Sequence, residues 1–219
     1  MASINSINNN NNNSNKITEI DFIIKTPKNF ANQFETLFKT KSKNQLFQTT
    51  LYSNYSFAKF KLNSGTYQIQ NSPNAGGNSI LSESMSFEIL HRLFQAKLLF
   101  TEMEIEYKKT QKTSPMTDFI IEINKQIIGV SVTRAFQFKG KFKRKHAKRI
   151  LQKKLKSVSR STFNIKNPGF NRQILHIWTP KKKISKILEN VYFEEIDEQT
   201  KSNTIVIITN SNDGNFLFV

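Results

Sequence analysis

Cysteine is absent from this sequence of 219 residues. Its absence excludes disulfide bonds, thiolate zinc sites and a cysteine nucleophile, and it fits a reducing compartment. Long apolar runs are absent too, and none approaches the roughly 20 residues that a membrane-spanning helix needs. Residues 1–16 lack the apolar block of a secretory signal and include a run of asparagines, Asn8 to Asn13. We expect this polar tract to be a disordered tail, because it cannot bury enough surface to offset the loss of chain entropy.

Acidic residues are absent from one long stretch. No aspartate or glutamate occurs between Ile123 and Leu188, where the chain has nineteen lysines and arginines. The whole chain carries 33 basic and 16 acidic residues, so the remainder has a net charge of −2. A concentration of one sign repels itself unless a polyanion neutralises it, and nucleic acid is the expected partner because each neutralised phosphate releases condensed counterions. The alternative is a lysine-rich surface that serves only solubility, although solubility alone would tolerate interspersed acids.

Residues 17–78 are predicted to form an α+β region, and the pattern does not decide whether this region folds independently. Its apolar periodicity predicts one helix and three strands. Residues Asn71 to Ser79 resemble a linker rather than a phosphate-binding loop, because they lack the Gly-Lys-Ser/Thr ending. The predicted elements are a strand over Asp21–Lys25, a helix over Asn29–Phe38, and weaker strands over Gln45–Tyr52 and Ser56–Leu62.

Residues 79–219 show a sharper alternation of patterns. Period-2 alternation predicts strands, and an apolar face that repeats every three to four residues predicts helices. Asn124 and Lys125 are predicted to form a two-residue turn between neighbouring strands. The predicted elements are a helix over Ser82–Phe94, strands over Leu98–Tyr107, Asp118–Ile123 and Gln126–Ala135, a helix over His146–Val158, a strand over Gln173–Trp178, a helix over Lys182–Ile196, and closing strands over Thr204–Thr209 and Phe216–Val219.

The predicted order of elements resembles the core of the PD-(D/E)XK, or restriction-endonuclease-like, fold. That core consists of a helix, three strands, a second helix and a further strand. Two sequence blocks, Gly129 to Ala135 (GVSVTRA) and Leu175 to Trp178 (LHIW), resemble blocks of an uncharacterised eukaryotic branch of that superfamily. The resemblance runs roughly from Ser79 to Val219. It implies an α/β fold with an αβββαβ core, in which helices flank a mixed central sheet.

The resemblance also implies a Mg²⁺ site that hydrolyses phosphodiesters in nucleic acid. The superfamily places an acid on the first helix and an aspartate at the start of the second strand, and the bound metal activates a water. In this chain Glu88 is the matching acid, with Glu83 as a less well placed alternative. Asp118, in the sequence Pro-Met-Thr-Asp, resembles the aspartate. Glu88 and Asp118 are therefore the expected metal ligands, and Asp118 is also an expected catalytic residue.

The third strand departs from the pattern of the superfamily. Where a Glu-x-Lys pair is expected, the chain has Ser131, Val132 and Thr133. A hydroxyl is a poor magnesium ligand, and threonine cannot act as a cation. If residues 124–125 form the turn, Asp118 lies opposite Ser131 and shares a face with Ser131 and Thr133. Ser131 and Thr133 are then expected to orient water or phosphate, within an altered or degenerate catalytic site.

Simpler structural interpretations stay open for these residues. Asp118 can act as a turn or strand-capping residue. Glu104 or Glu106 could supply the missing carboxylate, but together with Glu102 they are equally suited to the solvated face of a half-exposed strand. His176 lies between apolar residues, so it is interpreted as a core histidine rather than a general base.

The helix predicted over His146–Val158 and the basic segment before it are predicted to bind the phosphate backbone, while the apolar face of this helix packs on the sheet. The same cluster is dense enough for a nuclear import signal, so a nuclear location is expected, with a cytoplasmic one as the alternative. Two further functions stay open: a non-catalytic basic module that binds DNA or RNA, and an interaction protein that recruits acidic partners or a membrane surface. The expected nucleic-acid-binding residues are Arg134, Lys139, Lys141, Lys143, Arg144, Lys145, Lys148, Arg149, Lys153, Lys154 and Lys156.

Overall fold

The structure, a computed structural model, describes residues 21–39, 45–53, 55–73, 78–108, 116–167, 169–170, 172–202, 204–211 and 215–218. The tail predicted to be disordered over residues 1–16 lies outside these residues. No helix within the described ranges has the length and apolar character needed to cross a membrane.

The described residues form nine strands and six helices. The strands are β1 (Phe22–Lys25), β2 (Leu46–Ser53), β3 (Lys97–Thr101), β4 (Glu106–Tyr107), β5 (Phe119–Ile123), β6 (Gln126–Arg134), β7 (Ile165–Asn167), β8 (Gln173–Thr179) and β9 (Thr204–Ser211). The helices are α1 (Phe30–Lys39), α2 (Ser64–Asn71), α3 (Ile80–Phe94), α4 (Arg144–Asn164), α5 (Lys182–Glu195) and α6 (Glu198–Lys201).

One mixed sheet of seven strands organises the fold, in the order β1-β2-β9-β8-β6-β5-β3. Strands β3, β5 and β6 are antiparallel neighbours, whereas β6, β8, β9 and β2 run parallel to one another. Strands β4 and β7 form a separate two-stranded ribbon. The expected α/β class with a mixed central sheet is confirmed. The first two strands belong to this sheet, because β2 pairs with β9 and β1 pairs with β2.

Alternate residues of the central strands divide the core into two layers, as the period of a strand requires. Val130 and Ile174 face the layer that contains the buried side chains of α1 and α3. Leu175 and Ile177 face the layer formed with α4 and α5. Helix α4 contributes residues spaced at three to four positions to this second layer, which is why the helix can keep its basic residues on the opposite face. Those apolar residues are Ala147, Leu151, Leu155 and Val158.

The single strand predicted over Leu98–Tyr107 is interrupted. A 3₁₀ turn over Glu102–Glu104 separates β3 from β4. The Glu104 carboxylate accepts hydrogen bonds from the backbone N–H of Thr101 at 2.7 Å and from its hydroxyl at 2.9 Å. This capping box competes with strand pairing, and an alternating sequence pattern does not reveal it.

Two of the predicted strands are wrong. The structure has 3₁₀ turns at Phe57–Lys59 and Asn215–Leu217 in place of strands over Ser56–Leu62 and Phe216–Val219, of which Val219 lies outside the described residues. Phe57 and Phe216 stack on each other with ring centroids 4.8 Å apart. Their apolar character therefore reflects packing between two turns rather than the faces of two strands.

Candidate active site

The hairpin of β5 and β6 places Asp118 where the predicted two-residue turn requires it. Asn124 and Lys125 both have positive φ, at 50° and 65°, which matches a two-residue turn of the kind that joins antiparallel strands. Ile123 pairs with Gln126 and Phe119 with Val130. The backbone N–H of Asp118 donates to the carbonyl of Val130 at 3.0 Å. Continuing the register places Asp118 opposite Ser131, so this predicted neighbourhood is confirmed.

Strand β5 begins at Phe119, whereas β6 continues beyond its last partner to Arg134. The edge of β6 is therefore open at Val132, where two side chains replace the missing strand. The Asp118 carboxylate accepts the N–H of Val132, and the Lys154 ammonium donates to the carbonyl of Val132 at 3.2 Å. We call this opening the notch. Its charged residues are Glu83 of α3, Glu102 after β3, Asp118, Arg134 and Lys154 of α4.

Asp118 and Glu83 form a pair of carboxyl groups in the notch. Burial raises the pKa of Asp118 to about 8, and the charge of Glu83 adds to the increase. Burial likewise raises the pKa of Glu83, which is 5% exposed, and the charge of Glu102 contributes. Two carboxylates that repel each other in a partly dry site share a proton unless a cation separates them.

Two cations face this carboxyl pair from different elements. The Lys154 charge lowers the pKa of both Asp118 and Glu83, against the larger effect of burial. The Arg134 charge acts on Glu83, while one Arg134 nitrogen donates to the carbonyl of Leu217 at 2.9 Å. The notch therefore combines acidic oxygens with two cations at the end of the sheet, a combination that suits phosphate chemistry.

Glu88, the expected metal ligand of the first helix, does not belong to the notch. Its carboxylate accepts hydrogen bonds from Arg92 Nε at 2.7 Å, from the backbone N–H of Asn63 at 2.8 Å, and from the hydroxyl of Thr66. Glu83 and Glu88 are five residues apart, so about 140° of helix rotation separates them. Of the two candidate acids on the first helix, Glu83 rather than Glu88 has a charge that acts on Asp118, so Glu83 is the acid of α3 that the notch contains.

Ser131 and Thr133 lie on the side of β6 that faces α4. Their strand partners are Leu175 and Ile177, which belong to the apolar layer under that helix. Ser131 is 5% exposed and Thr133 is half-buried. The ammonium group nearest this part of β6 among the described hydrogen bonds is that of Lys154, which approaches from the helix rather than from the strand. Lys154 was expected on the phosphate-binding face, and the structure places it in the notch instead.

The outward face of α4 carries a cluster of exposed basic residues. Lys145, Arg149, Lys153 and Lys156 are exposed and, with Lys148 and Gln152, line a shallow depression. Arg144 and Lys148 were expected to bind phosphate too, but they pair with acids of α5. Arg144 contacts Glu194 at 2.8 Å and also Glu195, and Lys148 lies 3.4 Å from Glu195. We name the face formed by Lys145, Arg149, Lys153 and Lys156 the α4 basic face.

The donor set of the notch fits a magnesium ion only with help from a substrate. Within the described part of the chain, no three histidine, aspartate or glutamate side chains converge closely enough to hold a metal. Magnesium in phosphoryl-transfer enzymes is commonly held by one or two carboxylates together with substrate phosphates and water. Asp118 and Glu83 supply two hard oxygen donors whose mutual repulsion a cation would relieve.

His176 is a core residue, as its apolar neighbours indicate. It is buried, its Nε2 lies 2.6 Å from the Thr209 hydroxyl, and burial lowers its pKa to about 3. The adjacent Trp178 is also buried, and its indole N–H donates to the Ser86 hydroxyl at 2.8 Å. Trp178 therefore ties β8 to α3 and is not available for base stacking.

The raised pKa of Asp118 predicts a stability that falls as pH increases. Between pH 4 and pH 8 the unfolded chain ionises at its ordinary pKa of 3.8 while the folded protein retains the proton. Asp118→Asn mimics the protonated acid and still accepts the Val132 N–H. We expect it to gain about 1–3 kcal/mol in unfolding free energy at pH 8 and nothing at pH 4.

Urea unfolding of both proteins across that pH range checks this prediction. Asp197→Asn is the control, because hydrogen bonds from Thr200 lower the pKa of Asp197 and its replacement removes no penalty. Parallel pH profiles for the wild type and Asp118→Asn would contradict the assignment.

Comparisons with known proteins leave the function open. No family model matches the chain. No solved structure matches it. The chain is 37% identical over 167 residues to the AAC-rich mRNA clone AAC4 protein of Dictyostelium discoideum, an overlap that covers 73% of this chain and 24% of that protein. The chain thus spans about a quarter of the length of this relative, so what the whole relative does is not carried over to it.

Proposed function

We propose that this protein is a magnesium-dependent nuclease of the restriction-endonuclease-like kind, which binds nucleic acid on the α4 basic face and hydrolyses phosphodiesters in the notch. The proposal rests on one observation: Lys154 and Asp118 both bond the edge of β6 at Val132, the charge of Lys154 acts on Asp118 and on Glu83, and Lys154 belongs to the same helix as the basic face. The basic face points away from the sheet, so a phosphate backbone bound there would reach the carboxyl pair by curving around α4 past Lys154.

The topology supports the proposed fold. Helix α3 is followed by β3, β5 and β6 as antiparallel neighbours, and then by α4 and the parallel strand β8. This is the order of helices and strands that the resemblance implies. The notch lies where β5 stops short of the end of β6, so one helix from each face of the sheet reaches it.

The residues of the notch have separate roles in the proposed reaction. Asp118 and Glu83 would hold Mg²⁺, which supplies Lewis-acid stabilisation and a water of lowered pKa. Lys154 faces the carboxylates and would stabilise the negative charge that develops on the phosphate. Arg134 would hold the neighbouring phosphate. A hydroxyl is a poor magnesium ligand, and Ser131 lies on the side of β6 that faces the apolar layer under α4, so we assign it a structural role in β6.

Binding through the α4 basic face is tested by charge reversal. We expect the triple variant Arg149→Glu, Lys153→Glu, Lys156→Glu to lose most of its affinity and about 3 units of its log–log salt slope, one for each lost phosphate contact. The matched control is Lys28→Glu, Lys125→Glu, Lys186→Glu, which reverses three exposed lysines elsewhere. Fluorescence anisotropy with labelled DNA and RNA between about 50 and about 200 mM salt measures both. Equal losses in the two triple variants would contradict a specific binding face.

Catalysis is tested with the wild-type protein on single- and double-stranded DNA and RNA. We expect cleavage in magnesium and none in EDTA.

The lack of a Glu-x-Lys pair at Ser131 and Thr133 favours a second candidate, a non-catalytic module that binds nucleic acid by charge. Salt-sensitive binding without cleavage of any substrate would select that module, and binding of acidic proteins in place of nucleic acid would exclude both.

A further inference from the structure

A cavity of about 520 Å³ opens at the carboxyl ends of the parallel strands β6 and β8, beside the notch. Crevices at this end of an open α/β sheet are common ligand sites, and the volume lies in the usual range of about 300–1,000 Å³. We call it the aromatic pocket. It is lined by Phe136, Gln137, Gly140, Lys141, Phe142, Lys143, Pro180, Lys181, Lys183, Ile184, Ile187 and Phe218.

Aromatic rings form one side of the pocket and its rim. Phe136 packs edge to face against Phe218, with centroids 5.3 Å apart, and against Phe138 at 4.7 Å. Phe138 is 85% exposed, the highest value among the large hydrophobic residues of the described chain. Phe138 is not itself a lining residue, but a largely exposed phenylalanine contributes little to folding, and its contact with Phe136 of the lining suits binding of a ligand that has planar apolar faces.

Cationic side chains also line the pocket. Four lysines, Lys141, Lys143, Lys181 and Lys183, line it, and no acidic residue is among its described lining residues. The required ligand therefore combines flat rings with negative charge. Nucleotides have this combination, because each base has two π-faces and each linkage carries a phosphate.

Arg134 connects the aromatic pocket to the notch. Its guanidinium lies 6.0 Å from the centroid of the Phe136 ring, and its charge acts on Glu83 in the notch. A nucleic-acid strand bound in the pocket would therefore be separated from the carboxyl pair of Asp118 and Glu83 by the Arg134 side chain.

We propose that the aromatic pocket binds an unstacked base of single-stranded nucleic acid, with the lysines holding the flanking phosphates. The proposal rests on the proposed function and specifies its substrate as single-stranded. A duplex offers no free base face, because its bases are stacked on one another, so it would meet only the α4 basic face.

Stacking is tested with full-length protein in EDTA, which prevents cleavage. The probe is a single-stranded oligonucleotide containing 2-aminopurine, whose fluorescence falls when the base stacks on an aromatic ring. We expect Phe138→Ala to abolish the quenching and weaken single-strand binding about tenfold, with duplex binding unchanged. Phe138→Trp should restore both signals. Phe193→Ala is the matched control, because the ring of this 58% exposed phenylalanine of α5 contacts Tyr192, whereas the ring of Phe138 contacts Phe136 of the pocket lining.

The outcomes separate this inference from the proposed nuclease. Phe138→Ala and Phe193→Ala binding single strands equally well, or a wild type that prefers duplex, would overturn the pocket while leaving the α4 basic face intact. Quenching lost in Phe138→Ala would support the pocket even if magnesium produced no cleavage. A wild type that binds no nucleic acid at low salt would overturn both proposals.

Discussion

Glu83→Gln is expected to lower magnesium-dependent cleavage by more than about 100-fold, because even residues that only support a metal ligand commonly cost 10–100-fold. The substitution is mild for the fold. Burial raises the pKa of Glu83, so the wild-type side chain is already biased toward its neutral form, which glutamine resembles in shape. Unfolding free energy and nucleic-acid affinity should therefore stay close to those of the wild type while the rate falls.

The control for Glu83→Gln is Ser131→Ala. Ser131 occupies the position where the superfamily pattern expects an acid, but it carries a hydroxyl, a poor magnesium ligand, on the face under α4. We expect its cleavage rate to change by less than about threefold, far below the loss assigned to a metal ligand. Single-turnover cleavage with saturating protein measures both variants. A large loss of cleavage rate in Ser131→Ala together with full activity in Glu83→Gln would support the catalytic role predicted for Ser131 from the sequence and contradict the role of Glu83.

Arg92→Ala is expected to cost about 3–5 kcal/mol of unfolding free energy, the usual result of removing one partner from a buried ion pair. The Arg92 guanidinium donates to Glu88 at 2.7 Å and to both oxygens of Asp21 at 2.7 and 3.0 Å. It also lies 3.8 Å above the ring of Phe22. The Glu88 side chain is 2% exposed and that of Asp21 is 10% exposed, so neither can recover full hydration.

The loss in Arg92→Ala should shrink in acid. Burial acts to raise the pKa of Asp21, but hydrogen bonds from Arg92 and the backbone lower it overall. The stabilisation from ionised Asp21 is present above pH 3.8 and disappears as the pH falls through the lower pKa that Asp21 has in the folded protein. In acid the wild type has therefore already lost this part of its unfolding free energy, and Arg92→Ala removes less. Urea unfolding at pH 7 and pH 3 checks this, with Arg160→Ala on the exposed side of α4 as control. A loss below about 1 kcal/mol at pH 7 would contradict the structural role of the cluster.

Much of the fold could be predicted from local patterns. Strands β5 and β6 and their turn follow from apolar runs around Asn124 and Lys125, and the register that places Asp118 opposite Ser131 follows from the length of the turn. Helix α4 follows from its apolar spacing, although it extends to Asn164, six residues beyond the predicted end. The extension has polar residues, so the pattern contained no signal for it.

The candidate site was less predictable because it depends on contacts between distant elements. Choosing between Glu83 and Glu88 requires the rotation of α3 about its axis, and nearly every residue of its middle is buried, so its amphipathic signal is weak. The one sequence signal was Arg92, four residues after Glu88, a spacing that favours an ion pair on the helix itself. Lys154 was one lysine among many on α4, and only the structure shows that it is the lysine of α4 that donates a described hydrogen bond to the edge of β6.

The most direct test compares the wild type with Asp118→Asn on single-stranded DNA and RNA in magnesium, with binding recorded in the same samples at two salt concentrations. We expect the wild type to cleave. We expect the variant to bind within about twofold of the wild type, since the α4 basic face is unchanged, but not to cleave. Equal cleavage by the two proteins would place the chemistry outside the notch. Binding without cleavage by the wild type would contradict the nuclease and leave a nucleic-acid-binding protein.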